Sequence, residues 1–317
     1  VLTLVGLGTY HPETCLTDET VQALTGTTKP NFIRTQARYS VQPLELLQEN
    51  HNRDLKRSIA GSFISVSEMG ERAAREAIER AGILPEQVGL VMAESLTPVE
   101  TTPAESQRVA GRLGIKVPAY DITSGLGVLP WQLSILTRWR LERLPEYLIC
   151  VATNAPTQRI QFGAGVEPWV FGDGAAAAVF TTKPSKGLSV IHSETFVQSK
   201  VPSRATIDTL GFLTLPQHDL ERAKEQGQKI RAVCEQLNIT PTVVCFSEAR
   251  SDFHEVICGN FSGRMMNGAD LNGDLLGADP LTVVANSVEK LSSGDIILAI
   301  VASGYAQYGF SLLRLER

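Results

Sequence analysis

Ser65-Val-Ser-Glu-Met-Gly-Glu-Arg-Ala-Ala-Arg-Glu-Ala-Ile-Glu-Arg-Ala-Gly82-Ile-Leu-Pro85-Glu-Gln-Val88-Gly-Leu-Val-Met-Ala93 decides the fold class. Ser65 and Glu68 have capping-box spacing, so each side chain can satisfy an otherwise orphaned N–H at a helix start. Met69, Ala73, Ala74, Ala77, Ile78 and Ala81 recur at helical spacing until Gly82 stops the helix. Ile83-Leu-Pro85 is a turn, and an apolar run over Val88–Ala93 predicts a strand. The same plan returns later in the chain. Ile230, Val233, Cys234 and Leu237 predict a helix ending near Asn238, followed by Ile239-Thr-Pro241 and the strand Val243–Phe246. Another likeness joins Tyr147–Ala152 with Val170–Phe180 to Ile296–Val301 with Gly309–Leu315. Continuous apolar strands alternating with amphipathic helices are the pattern of strands covered on both faces, so the class is α/β. The duplication implies two similar halves packed on each other, 1–182 and 183–317, divided at the turn-rich Thr182–Gly187. Two long stretches, 10–62 and 192–218, read as irregular excursions.

Composition narrows the function. With 43% hydrophobic residues among 317 and no apolar run near the roughly 18 that a membrane helix needs, a globular, membrane-free and cytoplasmic protein is expected. A formal charge of −5 offers no positive field to attract phosphate backbones, which excludes nucleic acid as an expected partner. Five scattered cysteines without a CxxC pair fit neither a disulfide framework nor a zinc site, and no metal or cofactor is expected. The opening Val1–Gly8 reads as a first strand rather than a signal peptide.

Several motifs together carry a family resemblance. Phe171-Gly-Asp-Gly-Ala-Ala-Ala-Ala178 is similar to an FGDGAGA stretch, and Val5-Gly-Leu-Gly-Thr-Tyr-His-Pro-Glu13 to a GxGxYxP opening strand and turn. Ile83–Val91 with Thr101-Thr-Pro103, Ala119-Tyr-Asp-Ile122 and the closing Tyr308-Gly-Phe-Ser-Leu-Leu-Arg314 complete the set. Together they resemble the ketoacyl-acyl-carrier-protein synthase III branch of the thiolase superfamily along essentially the whole chain. The resemblance implies a five-layered αβαβα fold from two duplicated halves, a dimer, and acyl groups carried as thioesters on coenzyme A or an acyl-carrier protein. It also implies a catalytic cysteine at a helix N-terminus, where dipole and N–H groups stabilise thiolate and oxyanion, with a histidine and an asparagine stabilising an enolate.

None of the three groups stands at its matching place. The nucleophile segment reads Asp121-Ile-Thr-Ser-Gly-Leu-Gly-Val-Leu129, which puts Gly125 or Leu126 at the cysteine position. Ser247, in Val244-Cys-Phe-Ser-Glu-Ala-Arg250, replaces the histidine, and a serine cannot carry imidazolium charge. Asp274, in Leu271-Asn-Gly-Asp274, replaces the asparagine, and an ionised carboxylate repels a developing enolate. The closing glycine turn reads Val301-Ala-Ser-Gly-Tyr305. Scaffold motifs retained around an emptied centre imply a non-condensing partner subunit in a heterodimer with a cysteine-bearing homologue, in fatty-acid or polyketide-type biosynthesis. The alternative is a divergent acyltransferase with Ser124 as nucleophile, a residue that otherwise reads as a helix N-cap. A third possibility is a ligand-binding protein that retains the acyl tunnel without turnover.

Other polar residues have ordinary explanations. His254 lies seven residues from the expected imidazole position and reads as structural, and Cys150 and Cys245 read as small buried hydrophobes. Asp121 and Asp173 read as hydrogen-bonding scaffold residues. Arg222, Lys224, Lys229 and Arg231 interleave with Glu221, Glu225 and Glu235 as a solvated helix face.

Overall fold

The computed structural model describes residues 1–12, 15–17, 36–38, 64–98, 100–123, 128–156, 159, 172–197, 206–207, 213–214, 219–246, 251–267, 275–302 and 307–317. Among these residues, ten strands form one continuous mixed sheet: β1 (Thr3–Tyr10), β4 (Val88–Glu94), β5 (Ala119–Asp121), β6 (Tyr147–Asn154), β7 (Gly174–Thr181), β8 (Gly187–Val197), β11 (Val243–Phe246), β12 (Arg264–Asn267), β13 (Ile296–Val301) and β14 (Gln307–Glu316). Two small hairpins pair β2 (Cys15–Thr17) with β3 (Gln36–Arg38), and β9 (Thr206–Ile207) with β10 (Leu213–Thr214).

The strand order β12-β11-β13-β14-β8-β1-β7-β6-β4-β5 contains one topology written twice. Numbered from its own start, each set of five runs in the order 3-2-4-5-1, with its second strand parallel to its third and fourth and with antiparallel pairs 4–5 and 5–1. Among the described residues, the sets are joined strand to strand by a short antiparallel seam, Thr3 opposite Ser189 and Leu4 opposite Leu188.

Among the described residues, six helices cover the strands: α1 (Val66–Arg80), α2 (Glu105–Leu113), α3 (Val128–Leu136), α4 (Leu220–Gln236), α5 (Ser251–Cys258) and α6 (Asp279–Ser287). The two-residue period of a strand sorts its side chains into layers. Leu148, Cys150 and Ala152 face the central core with α3 and α6, while Ile149 and Val151 face α1 and α2. In the second set, Val243, Cys245, Ile297 and Ala299 join that central core, whereas Val244, Phe246, Leu298 and Ile300 face α4 and α5. The one continuous sheet thus supplies two layers, one per strand set, and the order is helix, strand set, helix, strand set, helix.

The duplicated helix-to-strand unit is closed by the same backbone device. Gly82 and Asn238 both take left-handed φ values, 67° and 53°. The following N–H then reaches five residues back, from Ile83 to Ile78 O at 3.3 Å and from Ile239 to Cys234 O at 3.0 Å. At the opposite ends, the Ser65 hydroxyl accepts from Glu68 N–H and the Asp219 carboxylate from Arg222 N–H, each relieving an orphan donor.

Two expectations need correction. The stretch 192–218 is not irregular from its start, because β8 continues through Val197 as a full partner of β14. Its alternation of half-buried polar and apolar residues masks the strand. Leu237 is 39% exposed rather than part of the buried face, since it caps α4 beyond the last packed turn.

Candidate functional site

The strands of the first set deliver their C-terminal ends to one place. Glu94 closes β4, Asn154 closes β6, and both are completely buried. Asn154 Nδ2 donates to Glu94 Oε2 at 3.0 Å, and its Oδ1 accepts Leu96 N–H at 2.7 Å, which fixes the amide's orientation. The second set contributes Gly277, in the turn Leu276–Ala278 that leads into α6. A Cβ on residue 277 would lie closer than 3.0 Å to the Glu94 carboxyl, so this glycine makes room for the carboxyl group. Leu276 beside it has a φ of 56°, and Leu275 N–H donates to Asp279 Oδ2 at 3.0 Å.

Burial raises the Glu94 pKa to about 8, with Asp121 adding to the rise and the Asn154 hydrogen bond opposing it. At neutral pH the side chain is mainly the carboxylic acid, able to donate as well as accept. Glu94 Oε1 has no hydrogen-bond partner among the described residues. Sequence reading did not single out Glu94. The available signal was a carboxylate ending an apolar run, but its burial depends on a turn supplied from the other end of the chain.

Asp121 is a hydrogen-bonding residue, as its scaffold reading anticipates. Its two carboxylate oxygens accept the N–H groups of Glu105 and Ser106, each at 2.8 Å, capping α2 from the neighbouring strand. Glu105 is nearly buried there, and desolvation pushes its pKa to about 7. Asp173 is wholly buried at the entry to β7.

Ser124, Gly125, Leu126, Ser247 and Asp274 lie outside the described residues, as do residues 303–306 and the side chain of His254. Neighbouring residues Val128, Cys245 and Leu275 all belong to the central core, where the two strand sets meet α3 and α6. Each cysteine with a described side chain is buried and free. Desolvation raises Cys150 far above the usual thiol range, Cys245 and Cys258 to about 12, and Cys234 to about 11. None of these four is a poised thiolate. Arg222 pairs with Asp219 and Arg231 with Glu235, in keeping with a solvated face on α4. Among the described residues there is no cluster suited to a metal ion, and no helix is long and apolar enough to cross a membrane.

Comparison with known proteins supplies the family context. Beta-ketoacyl-[acyl-carrier-protein] synthase III of Salmonella typhimurium is 27% identical over 191 residues, covering 60% of this chain and 55% of that protein. This chain is similar to synthase III over that stretch. The matched region spans about half the length of such curated relatives. No family model matches the chain.

The synthase-III-like chain also shares the fold in solved structures. The 3-oxoacyl-[acyl-carrier-protein] synthase III structure from Aquifex aeolicus superposes with a TM-score of 0.81 at 18% identity, covering 99% of this chain and 100% of that one. The corresponding Pseudomonas aeruginosa enzyme gives 0.82 at 17% identity, with coverages of 100% and 98%. The five layers are therefore the thiolase-like fold anticipated from the motifs.

Proposed function

We propose that this synthase-III-like protein serves fatty-acid or polyketide-type biosynthesis as a non-condensing subunit, paired with a cysteine-bearing homologue. One observation carries the reading: no thiol occurs from Asp121 to Leu129, between β5 and the start of α3, although the surrounding scaffold motifs persist. In the motif match Gly125 or Leu126 stands at the nucleophile's position, neither with a nucleophilic atom, and Ser247 and Asp274 offer neither imidazolium nor neutral amide. The high thiol pKa values of the four described buried cysteines support the absence of a substitute nucleophile from that group.

Residues 1–182 and 183–317 are the two halves in this reading. Pairing with another chain is supported by β5, an edge strand on which Tyr120 is 53% exposed. The partner contributes the condensing chemistry and uses acyl groups from acyl-CoA or an acyl-carrier protein, while this subunit shapes the assembly.

Mass spectrometry after incubation with acetyl-CoA and malonyl-CoA tests the reading: the isolated chain remains unmodified. Co-purification with a cysteine-bearing homologue raises condensation above that homologue's own rate. A stable acyl adduct abolished by Ser124→Ala would overturn the reading in favour of an acyltransferase.

A further inference from the structure

We propose that the connection between α3 and β6 is a docking surface for an acidic polypeptide. Elsewhere on the described surface, arginines are commonly satisfied by carboxylates: Arg72 by Glu68, Arg75 by Glu71, Arg80 by Glu76, and Arg108 by Glu100. Arg138, Arg140 and Arg143 are exposed within six residues of chain, and none forms an ion pair among the described residues. The Arg138 guanidinium donates to Ser134 O, at the C-terminal end of α3. Between the cations stands Trp139, 46% exposed.

The neighbouring β7–β8 turn enlarges the patch. Thr182 N–H donates to Glu146 O at 3.0 Å and its hydroxyl to Pro145 O at 3.4 Å, bringing exposed Lys183 and Lys186 beside this connection. Glu142 and Glu146 interrupt the positive charge but form no ion pair with these arginines among the described residues.

Tryptophan and arginine together can anchor an interface, one through an apolar ring and the other through charge-assisted hydrogen bonds. The complementary surface is carboxylate-rich with an aliphatic side chain to cover Trp139. A polypeptide fits better than an anionic membrane, because this surface presents one aromatic ring and the whole chain carries a net charge of −5. The surface follows the C-terminal end of α3, whereas the candidate nucleophile segment precedes its N-terminus, a separation of about 13 Å along nine helical residues. Docking here is independent of the chemistry assigned to that segment.

The test uses the full chain and a fluorescein-labelled synthetic peptide rich in glutamate and leucine, followed by fluorescence anisotropy at increasing salt. The expected result is salt-sensitive binding that weakens roughly tenfold in Arg140→Gln/Arg143→Gln and severalfold in Trp139→Ala. Circular dichroism establishes that each variant is folded; if the double variant is not, Arg143→Gln alone replaces it and must weaken binding measurably. No binding by the wild type, or binding by folded variants within twofold of wild type, would overturn the proposal. Binding to phosphatidylserine vesicles without binding to the peptide would overturn it in favour of a lipid surface.

Discussion

β1 and β8 begin the two strand sets and occupy the same place in the duplicated topology, yet their surfaces differ sharply. In β1, a Cβ on Gly6 or Gly8 would run into the backbone of α1 at Ala77 or Ala73, respectively. The strand has given up side chains to let its helix settle directly on it. In β8, the central residues are Val190, Ile191, His192 and Ser193; His192 remains partly accessible and contacts Glu194 at 3.2 Å. One topology therefore supports a closely seated helix in the first set and a strand with substantial side-chain relief in the second. Strand order belongs to the common plan, while side-chain volume determines how each copy is used.

The largest expected effect is a break in the close contact of the first set. Gly8→Val should destabilise the protein by about 4 kcal/mol or more, because the obstructing atoms belong to the α1 backbone. His192→Ala on β8 should cost less than about 1 kcal/mol, since the histidine is partly exposed. Urea denaturation of the two variants measures this contrast, and equal losses would break it.

Glu94 provides a pH-dependent test. Its folded pKa of about 8 lies above the ordinary value of 4.5, so the native state retains a proton that the unfolded chain has released between those values. Stability consequently falls as pH rises through this window and levels off above the folded pKa. Glu94→Gln removes that loss. Its advantage over wild type should grow between pH 5 and pH 8 to roughly 2–4 kcal/mol, measured by urea midpoints across the range. A difference independent of pH would contradict the neutral buried carboxyl.

The smallest comparison concerns the two helix stops. Gly82→Ala should cost about 1 kcal/mol because alanine disfavors positive φ, whereas Asn238→Gly should be near neutral or slightly stabilising. Thermal unfolding can compare the pair. Similar losses from both substitutions would show that their shared backbone conformation does not control the energetics.

Much of the fold was legible because local constraints agreed. The helix cap at Ser65, the stops at Gly82 and Asn238, and the apolar runs Val88–Ala93 and Val243–Phe246 set element identities before long-range packing is considered. The layers became visible only when alternate strand residues could be followed into different cores. β8 was harder to recognise beyond His192 because Glu194 and Thr195 interrupt its apolar pattern, while pairing with β14 supplies the missing constraint. At the candidate site, sequence matching pointed to Gly125 or Leu126, Ser247 and Asp274, which lie outside the described residues, and gave no signal for Glu94. Its environment combines residues distant in sequence, and no local period specifies that meeting.

The fit of Glu94 beside Gly277 has a consequence for exchanging parts between relatives. Replacing only the segment bearing residue 277 can introduce a methyl group where the acid already lies; replacing only the segment bearing residue 94 can leave a hole beneath the glycine. A workable chimera must transplant both sides of this junction together, or redesign one to match the other.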